Sequence, residues 1–215
     1  MRRTVFSLLG AILVLAGCTG EPAAPPTLSP DPAETGARVA DDLIGREDFT
    51  MYEVGDVVAI HYGEVAAAYG AARLAALTGD TALTDALVAR YNRVADENIP
   101  NTANHVDTNV FGAWPLELYR QTGNRDQLAD GLFYADGQWA DPRPDGLSSQ
   151  TRFWIDDVWM IGLLQVEAYR ATGNPVYIDR AATEIAAYIE RLQQPNGLFH
   201  HGPDAPFYWA RGNGW

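Results

Sequence analysis

Apolar residues recur at helical spacing in three pairs of segments along this chain. The pairs occupy residues 67–98, 111–138 and 160–192. Within each pair the segments are separated by a short turn, namely Thr78-Gly79-Asp80, Thr122-Gly123-Asn124 or Thr172-Gly173-Asn174. Glycine suits the left-handed conformation that ends a helix, and the Asp or Asn after it suits an N-cap. The pattern therefore predicts a repeated unit of helix, tight turn and helix.

The two helices of each pair differ in polarity. The first is rich in alanine, glycine, leucine and aromatic residues, whereas the second carries Asp, Glu and Arg along one face. We interpret the first as an inner helix and the second as an outer helix. Strand signals are weak, and the best of them, at residues 57–60, leads into a helical segment. The repeats predict an all-α fold, and they fit an open solenoid and a closed α/α toroid equally well.

Composition narrows the function classes. The chain is 47% hydrophobic over 215 residues, which is enough apolar material for one buried core. Its net charge is −13, and all 15 of its basic side chains are arginine. A broad basic face is therefore absent, and we do not expect nucleic-acid binding.

The first residues predict export. Arg2 and Arg3 precede an apolar run that ends in Leu-Ala-Gly-Cys at Cys18, and the run is shorter than the roughly 20 residues of a membrane span. The cysteine is placed as in the lipobox of bacterial lipoproteins, which this segment resembles; the alternative is an ordinary cleaved signal. We predict a signal peptide at 1–17, a lipid anchor on Cys18, a proline-rich tether at 18–33 and a domain at 34–215. The protein would be exported and lipid-anchored at the bacterial cell envelope.

Polar residues stand at the predicted starts of the inner helices. His61, Asp107 and Asp156 lie at equivalent positions of the repeats, so we expect them at one mouth of the assembly. An Asp at a helix start can simply be an N-cap. The aromatic neighbours of Asp156 favour instead a desolvated carboxyl group that holds a proton and donates it. We interpret the adjacent Asp157 as a capping or structural carboxylate.

A second cluster lies in residues 198–202 and 209–215. It combines aromatic side chains, which stack on sugar rings, with an arginine, which presents a planar fork to a carboxylate. Histidine occurs only at positions 61, 105, 200 and 201, and no HExxH, GxSxG or phosphate-loop motif is present. We therefore expect no metal and no cofactor.

Three strings carry a family resemblance. WARGNGW at 209–215, GLFHHG at 197–202 and WIDDVWM at 154–160 resemble motifs of the unsaturated rhamnogalacturonyl hydrolases and unsaturated glucuronyl hydrolases. The resemblance implies an (α/α)6 barrel, of which residues 34–215 form the N-terminal part, about the first half. It implies removal of a 4,5-unsaturated uronic acid from the non-reducing end of oligosaccharides, by protonation and hydration of the vinyl ether. We expect the present chain alone to be unstable or inactive.

The resemblance also implies residue roles. Asp156 matches the proton donor, and Asp107 matches the second active-site carboxylate. Residues implied to bind the substrate are Tyr62, His201, Trp209, Arg211 and Trp215. The partner would be an unsaturated oligosaccharide, with membrane attachment only through the N-terminal lipid. Two alternatives stay open: an inverting glycosidase on saturated glycans with Asp107 as base and Asp156 as acid, and a non-catalytic sugar-binding lipoprotein.

Overall fold

The structure, a computed structural model, describes residues 31–102 and 104–215. The predicted signal peptide, Cys18 and most of the predicted tether lie outside these ranges, so export and lipid anchoring stay predictions. Within the described ranges, none of the helices combines the length and the apolar character needed to cross a membrane.

Helices make up most of the regular structure in this part of the chain. Their order, with one β-hairpin, is α1 Pro32–Gly45, β1 Met51–Val54, β2 Val57–Ile60, α2 Tyr62–Thr78, α3 Thr81–Asp96, α4 Val106–Asn109, a 3-10 turn Val110–Gly112, α5 Ala113–Thr122, α6 Arg125–Gly137, α7 Ile155–Thr172, α8 Pro175–Leu192 and α9 Ala210–Gly214.

The three predicted turns have the expected chemistry. Gly79, Gly123 and Gly173 take left-handed φ values of 70°, 74° and 71°. The Asp or Asn after each glycine caps the next helix; Asp80, for example, accepts a hydrogen bond from the backbone N–H of Leu83. The paired helices α2/α3, α5/α6 and α7/α8 pack against each other. The predicted helix pairs are confirmed.

The first helix of each pair lies inside. Helices α2, α5 and α7 pack side by side, and their contact surfaces hold buried residues such as Trp114, Leu118 and Met160. Close approach between α5 and α6 depends on small residues, since a Cβ on Gly131 would lie 2.3 Å from Leu116 Cγ. The inner layer brings the N-terminal ends of its helices to one side of the molecule.

A short β-hairpin adds to the helical architecture. Strands β1 and β2 pair antiparallel, with Met51 opposite Ile60, around a turn in which Gly55 has a φ of 60°. The apolar run 57–60 does form a strand, and residues 51–54, which carried no prediction, form its partner. The hairpin leads into α2 and places Tyr52 beside the helix starts.

Candidate active site

The N-terminal ends of the inner helices surround a cavity of about 150 Å³. Its lining residues are Tyr52, Tyr62, Asp107, Arg152, Trp154, Asp156, Met160, His201, Trp209 and Arg211. A larger groove of about 750 Å³ lies beside Arg191 on the outer surface, but it holds none of the predicted site residues. The small cavity is therefore the candidate active site.

Asp156 lies in the first turn of α7 and is buried, with 6% of its surface exposed. It is not the N-cap, which is Trp154. Its Oδ1 accepts hydrogen bonds from Arg211 Nε and from Trp215 Nε1, both at 3.0 Å. Its Oδ2 lies 3.7 Å from His201 Nδ1. The surroundings of Asp156 are thus more polar than its sequence neighbours suggest.

Arg211 connects three parts of the site. Its Nε donates to Asp156, its NH1 donates to the Tyr62 hydroxyl at 3.1 Å, and its guanidinium lies 4.7 Å from the centre of the Trp209 ring. Burial alone lowers the pKa of Arg211, but the hydrogen bond and the charge of Asp156 outweigh it and raise the pKa. Arg211 therefore stays a cation at the edge of the cavity.

A glycine lets this segment approach α7. A Cβ on Gly212 would lie 2.2 Å from Ile155 Cγ2, so a side chain there would push α9 away from α7. Trp215 stacks on Trp159 with ring centres 4.2 Å apart and contacts Tyr62 edge-on. The tight contact at Gly212 holds both donors, Arg211 and Trp215, against Asp156.

Asp107 occupies another wall of the cavity, on the short helix α4. It is 5% exposed. His105 Nδ1 accepts a hydrogen bond from the backbone N–H of Asp107 at 3.2 Å and lies 3.3 Å from its Oδ2. Burial lowers the pKa of His105. Burial and the charge of Asp107 raise the pKa of Tyr52, whose ring stacks on His105.

Asp157 has the structural role expected from its position. It is fully buried, and it accepts hydrogen bonds from Arg152 Nε at 3.1 Å and Arg152 NH2 at 2.6 Å. Burial raises the pKa of Asp157, and the arginine partly offsets that effect. The adjacent carboxylates Asp156 and Asp157 of α7 therefore accept hydrogen bonds from two different arginines, Arg211 and Arg152.

The loop before α9 brings His201 to the cavity. The backbone N–H of Ile155 donates to the His201 carbonyl at 2.9 Å, which ties the loop to the start of α7. The imidazole lies between Trp154, Phe207 and Trp209, with ring centres 5.5, 5.4 and 4.7 Å away. His201 is therefore fixed with its Nδ1 towards Asp156.

Comparison with models of known protein families identifies the family of this chain. The model of Glycosyl Hydrolase Family 88 matches residues 37–215. The chain belongs to this family. A search of curated proteins found no match.

Solved structures give the fold of this family 88 chain. One described as a possible GH105 member from Klebsiella pneumoniae is 18% identical, with a TM-score of 0.69 over 96% of this chain and 62% of the other. An unsaturated glucuronyl hydrolase from Streptococcus agalactiae is 18% identical, with a TM-score of 0.52 over 85% and 50%. A polysaccharide lyase is 16% identical, with a TM-score of 0.59 over 84% and 57%.

These structural similarities confirm the predicted (α/α)6-barrel fold. Of the two architectures that the repeats allowed, the fold is therefore the α/α toroid and not the open solenoid. The chain spans 62%, 57% and 50% of the lengths of these three structures.

Most of the predicted site residues of the family 88 chain come together. Asp107, Asp156, Tyr62, His201, Trp209 and Arg211 line the cavity, whereas Trp215 lies outside the lining and supports Asp156. The sequence analysis missed Tyr52, Arg152, Trp154 and Met160 as lining residues. A Gly-Asp turn between short apolar runs was an available signal for the hairpin of Tyr52. Among the described residues, no group of three or more His, Cys, Asp or Glu is placed to hold a metal ion.

Proposed function

We propose that the protein is a glycoside hydrolase that removes a 4,5-unsaturated uronic acid from the non-reducing end of oligosaccharides. The observation that carries the proposal is the meeting of two buried carboxylates, Asp107 and Asp156, with Arg211 around one cavity. Membership of a glycoside hydrolase family supports the reaction class. The reaction is protonation and hydration of the vinyl ether double bond.

Asp156 is the proton donor in this proposal. Because Arg211 and Trp215 both donate to its Oδ1, Oδ2 is the oxygen left to carry a proton. The proton moves from Oδ2 to C4 of the substrate, and positive character develops at C5. Water adds its oxygen to C5 and returns a proton to Asp156. The hemiketal then opens, and the bond to the leaving sugar breaks, so that one water is consumed.

Asp107 and Arg211 stabilise charge in this scheme. The Asp107 carboxylate faces the positive character at C5 and orients the water. Arg211 uses Nε and NH1 within the protein, and its NH2 makes no hydrogen bond to another described side chain. That nitrogen is available to the substrate carboxylate. Since the whole chain carries a net charge of −13, attraction of an anionic substrate depends on such local cations.

The test uses the full-length protein with an unsaturated disaccharide and its saturated counterpart. We expect the ultraviolet absorbance of the conjugated double bond to fall with the unsaturated compound only. Asp156→Asn should lower the rate by about 1000-fold, because the amide cannot donate the proton, with an unchanged melting temperature. Asp136→Asn, which changes an exposed carboxylate on α6, is the matched control. Turnover of the saturated compound alone would indicate an inverting glycosidase, and binding without turnover would indicate a sugar-binding protein.

A further inference from the structure

A second arginine lines the cavity, and the reaction scheme does not use it. Arg152 lies three residues before the start of α7, and its side chain is 32% exposed. Its NH2 lies 4.0 Å from Asp107 Oδ2, and its NH1 lies 3.4 Å from His105 Nε2. Arg152 therefore lies beside Asp107 at ion-pair distance, whereas Arg211 donates a hydrogen bond to Asp156 at 3.0 Å.

Three contacts fix Arg152 in place. Asp157 accepts two hydrogen bonds from its guanidinium, and the guanidinium lies 4.6 Å from the centre of the Trp154 ring. The next residue, Phe153, has a left-handed φ of 58°, and its backbone N–H donates to the Tyr188 hydroxyl at 3.2 Å. A non-glycine residue in this conformation persists only where the surrounding structure holds it. The guanidinium is therefore preorganised.

The charges around Asp107 give Arg152 its importance. The titratable or charged groups that face Asp107 are His105 before α4, Tyr52 on β1, Arg152 with its partner Asp157 at α7 and, at a longer distance, Arg211 on α9. Burial lowers the pKa of His105, the negative charge of Asp107 opposes that shift and the positive charge of Arg152 adds to it; the net shift is downward, so His105 is not a permanent cation. Within the described part of the chain, Arg152 is the permanent cation within 4.0 Å of Asp107.

We propose that Arg152 is a positioning residue, anchored by Asp157, that places a fixed positive charge beside the Asp107 carboxylate and keeps this carboxylate in position. Arg211 is thereby left to bind the substrate. The kinetic consequence rests on the function proposed above, in which Asp107 acts as an anion. The electrostatic link between Arg152 and the His105–Asp107 pair is independent of that function.

The kinetic experiment compares the full-length protein with Arg152→Gln, Arg152→Lys and Arg180→Gln. In Arg152→Gln we expect kcat to fall by about 10- to 100-fold with KM nearly unchanged, and the acidic limb of the pH–rate profile to move to higher pH. Arg152→Lys keeps the positive charge but loses the two-pronged contact with Asp157. Relative to Arg152→Gln, it should therefore bring the position of the acidic limb closer to that of the parent than it brings kcat. Arg180→Gln breaks an arginine–carboxylate pair on the outer surface and should match the parent.

A second experiment does not depend on turnover. Nuclear magnetic resonance can follow the His105 ring against pH, and its pKa should be higher in Arg152→Gln because a nearby positive charge is gone. If the parent turns over no unsaturated substrate but this shift occurs, the proposed function fails and the electrostatic role of Arg152 stands. Parental kcat and pH profile in Arg152→Gln would overturn the proposal. So would a lower melting temperature with neither the limb nor the His105 titration moved.

Discussion

The two ends of the inner helices carry the same kinds of side chain in different arrangements. At the N-terminal ends, Asp107 and Asp156 border an open cavity. At the C-terminal ends, Glu117 and Glu167 are buried among three arginines, a tyrosine and a glutamine. The members of this second group, which we call the distal network, are Tyr69, Arg73, Glu117, Arg120, Gln121, Glu167 and Arg170.

The difference lies in how the carboxylate oxygens are used. Glu117 accepts from Arg120 at 2.5 Å, from Gln121 at 3.0 Å and from Arg73 at 3.3 Å. Glu167 accepts from Tyr69 and Arg170, and its other oxygen lies 3.6 Å from Arg120 NH1. The hydrogen bonds of the distal network are made within the protein, so the network contributes to stability. The carboxylates at the cavity keep oxygen atoms that can face a substrate.

The largest effect that separates the two ends is expected from Asp107→Asn. We expect the rate on unsaturated substrate to fall by about 100- to 1000-fold, because a neutral amide cannot stabilise positive character at C5. The melting temperature should change by only a few degrees. Steady-state kinetics and thermal unfolding of the full-length protein measure both. A stable variant with parental activity would remove Asp107 from the reaction.

Glu117→Gln should reduce stability and leave activity nearly unchanged, the opposite of Asp107→Asn. Removing the charge of a buried carboxylate leaves Arg73 and Arg120 without their main partner and should lower the free energy of unfolding by about 3 kcal/mol. Urea unfolding measures this loss, and kcat/KM should stay within twofold of the parent at low temperature. The exposed Glu97→Gln is the control, with an unfolding midpoint like that of the parent. Equal midpoints for both variants would contradict a stabilising distal network.

The smallest expected effect concerns Tyr69, which donates to Glu167 at 2.8 Å. Burial and the charge of Glu167 raise the pKa of Tyr69. As the pH rises above about 10, the unfolded tyrosine ionises before the folded one, so stability present below that pH is lost. Tyr69→Phe should cost about 1 kcal/mol at pH 7 and make the alkaline decline shallower.

Urea unfolding from pH 8 to 11 tests the Tyr69 prediction. Tyr169→Phe, which removes a hydroxyl from an exposed tyrosine of α7, is its matched control. If Tyr69→Phe and the parent lose stability with the same slope, Tyr69 is not the group that titrates.

The sequence predicted what depends on local chemistry. The helix pairs follow from turn glycines and from the Asp or Asn caps beside them, which act within a few residues. The meeting of Asp107 with Asp156 follows because equivalent positions in repeated units face the same end. The repeat spacing also placed Tyr62, next to His61, at this end, and His201 belongs to the cluster at residues 198–202, but the substrate-binding role of both residues came from the family resemblance.

Contacts between residues that are far apart in the sequence could not be predicted from local sequence patterns. Arg152 approaches His105 across 47 residues, and Asp156 receives Trp215 across 59. The prediction that Asp156 has apolar surroundings assumed that its neighbours in the sequence are also its neighbours in space. Adjacent residues of a helix point about 100° apart, so this assumption was wrong. Strand β1 is four residues long, which is too short for a clear alternation. Its partner strand was visible only as a short apolar run.

The close contact at Gly212 has a consequence for biosynthesis. Asp156 leaves the ribosome 55 residues before Arg211, the arginine that Gly212 seats against it. Until Arg211 has been synthesised, Asp156 therefore lacks the guanidinium that donates a hydrogen bond to it in the folded protein. Docking of the WARGNGW segment against α7 is therefore needed to complete the hydrogen bonds of Asp156.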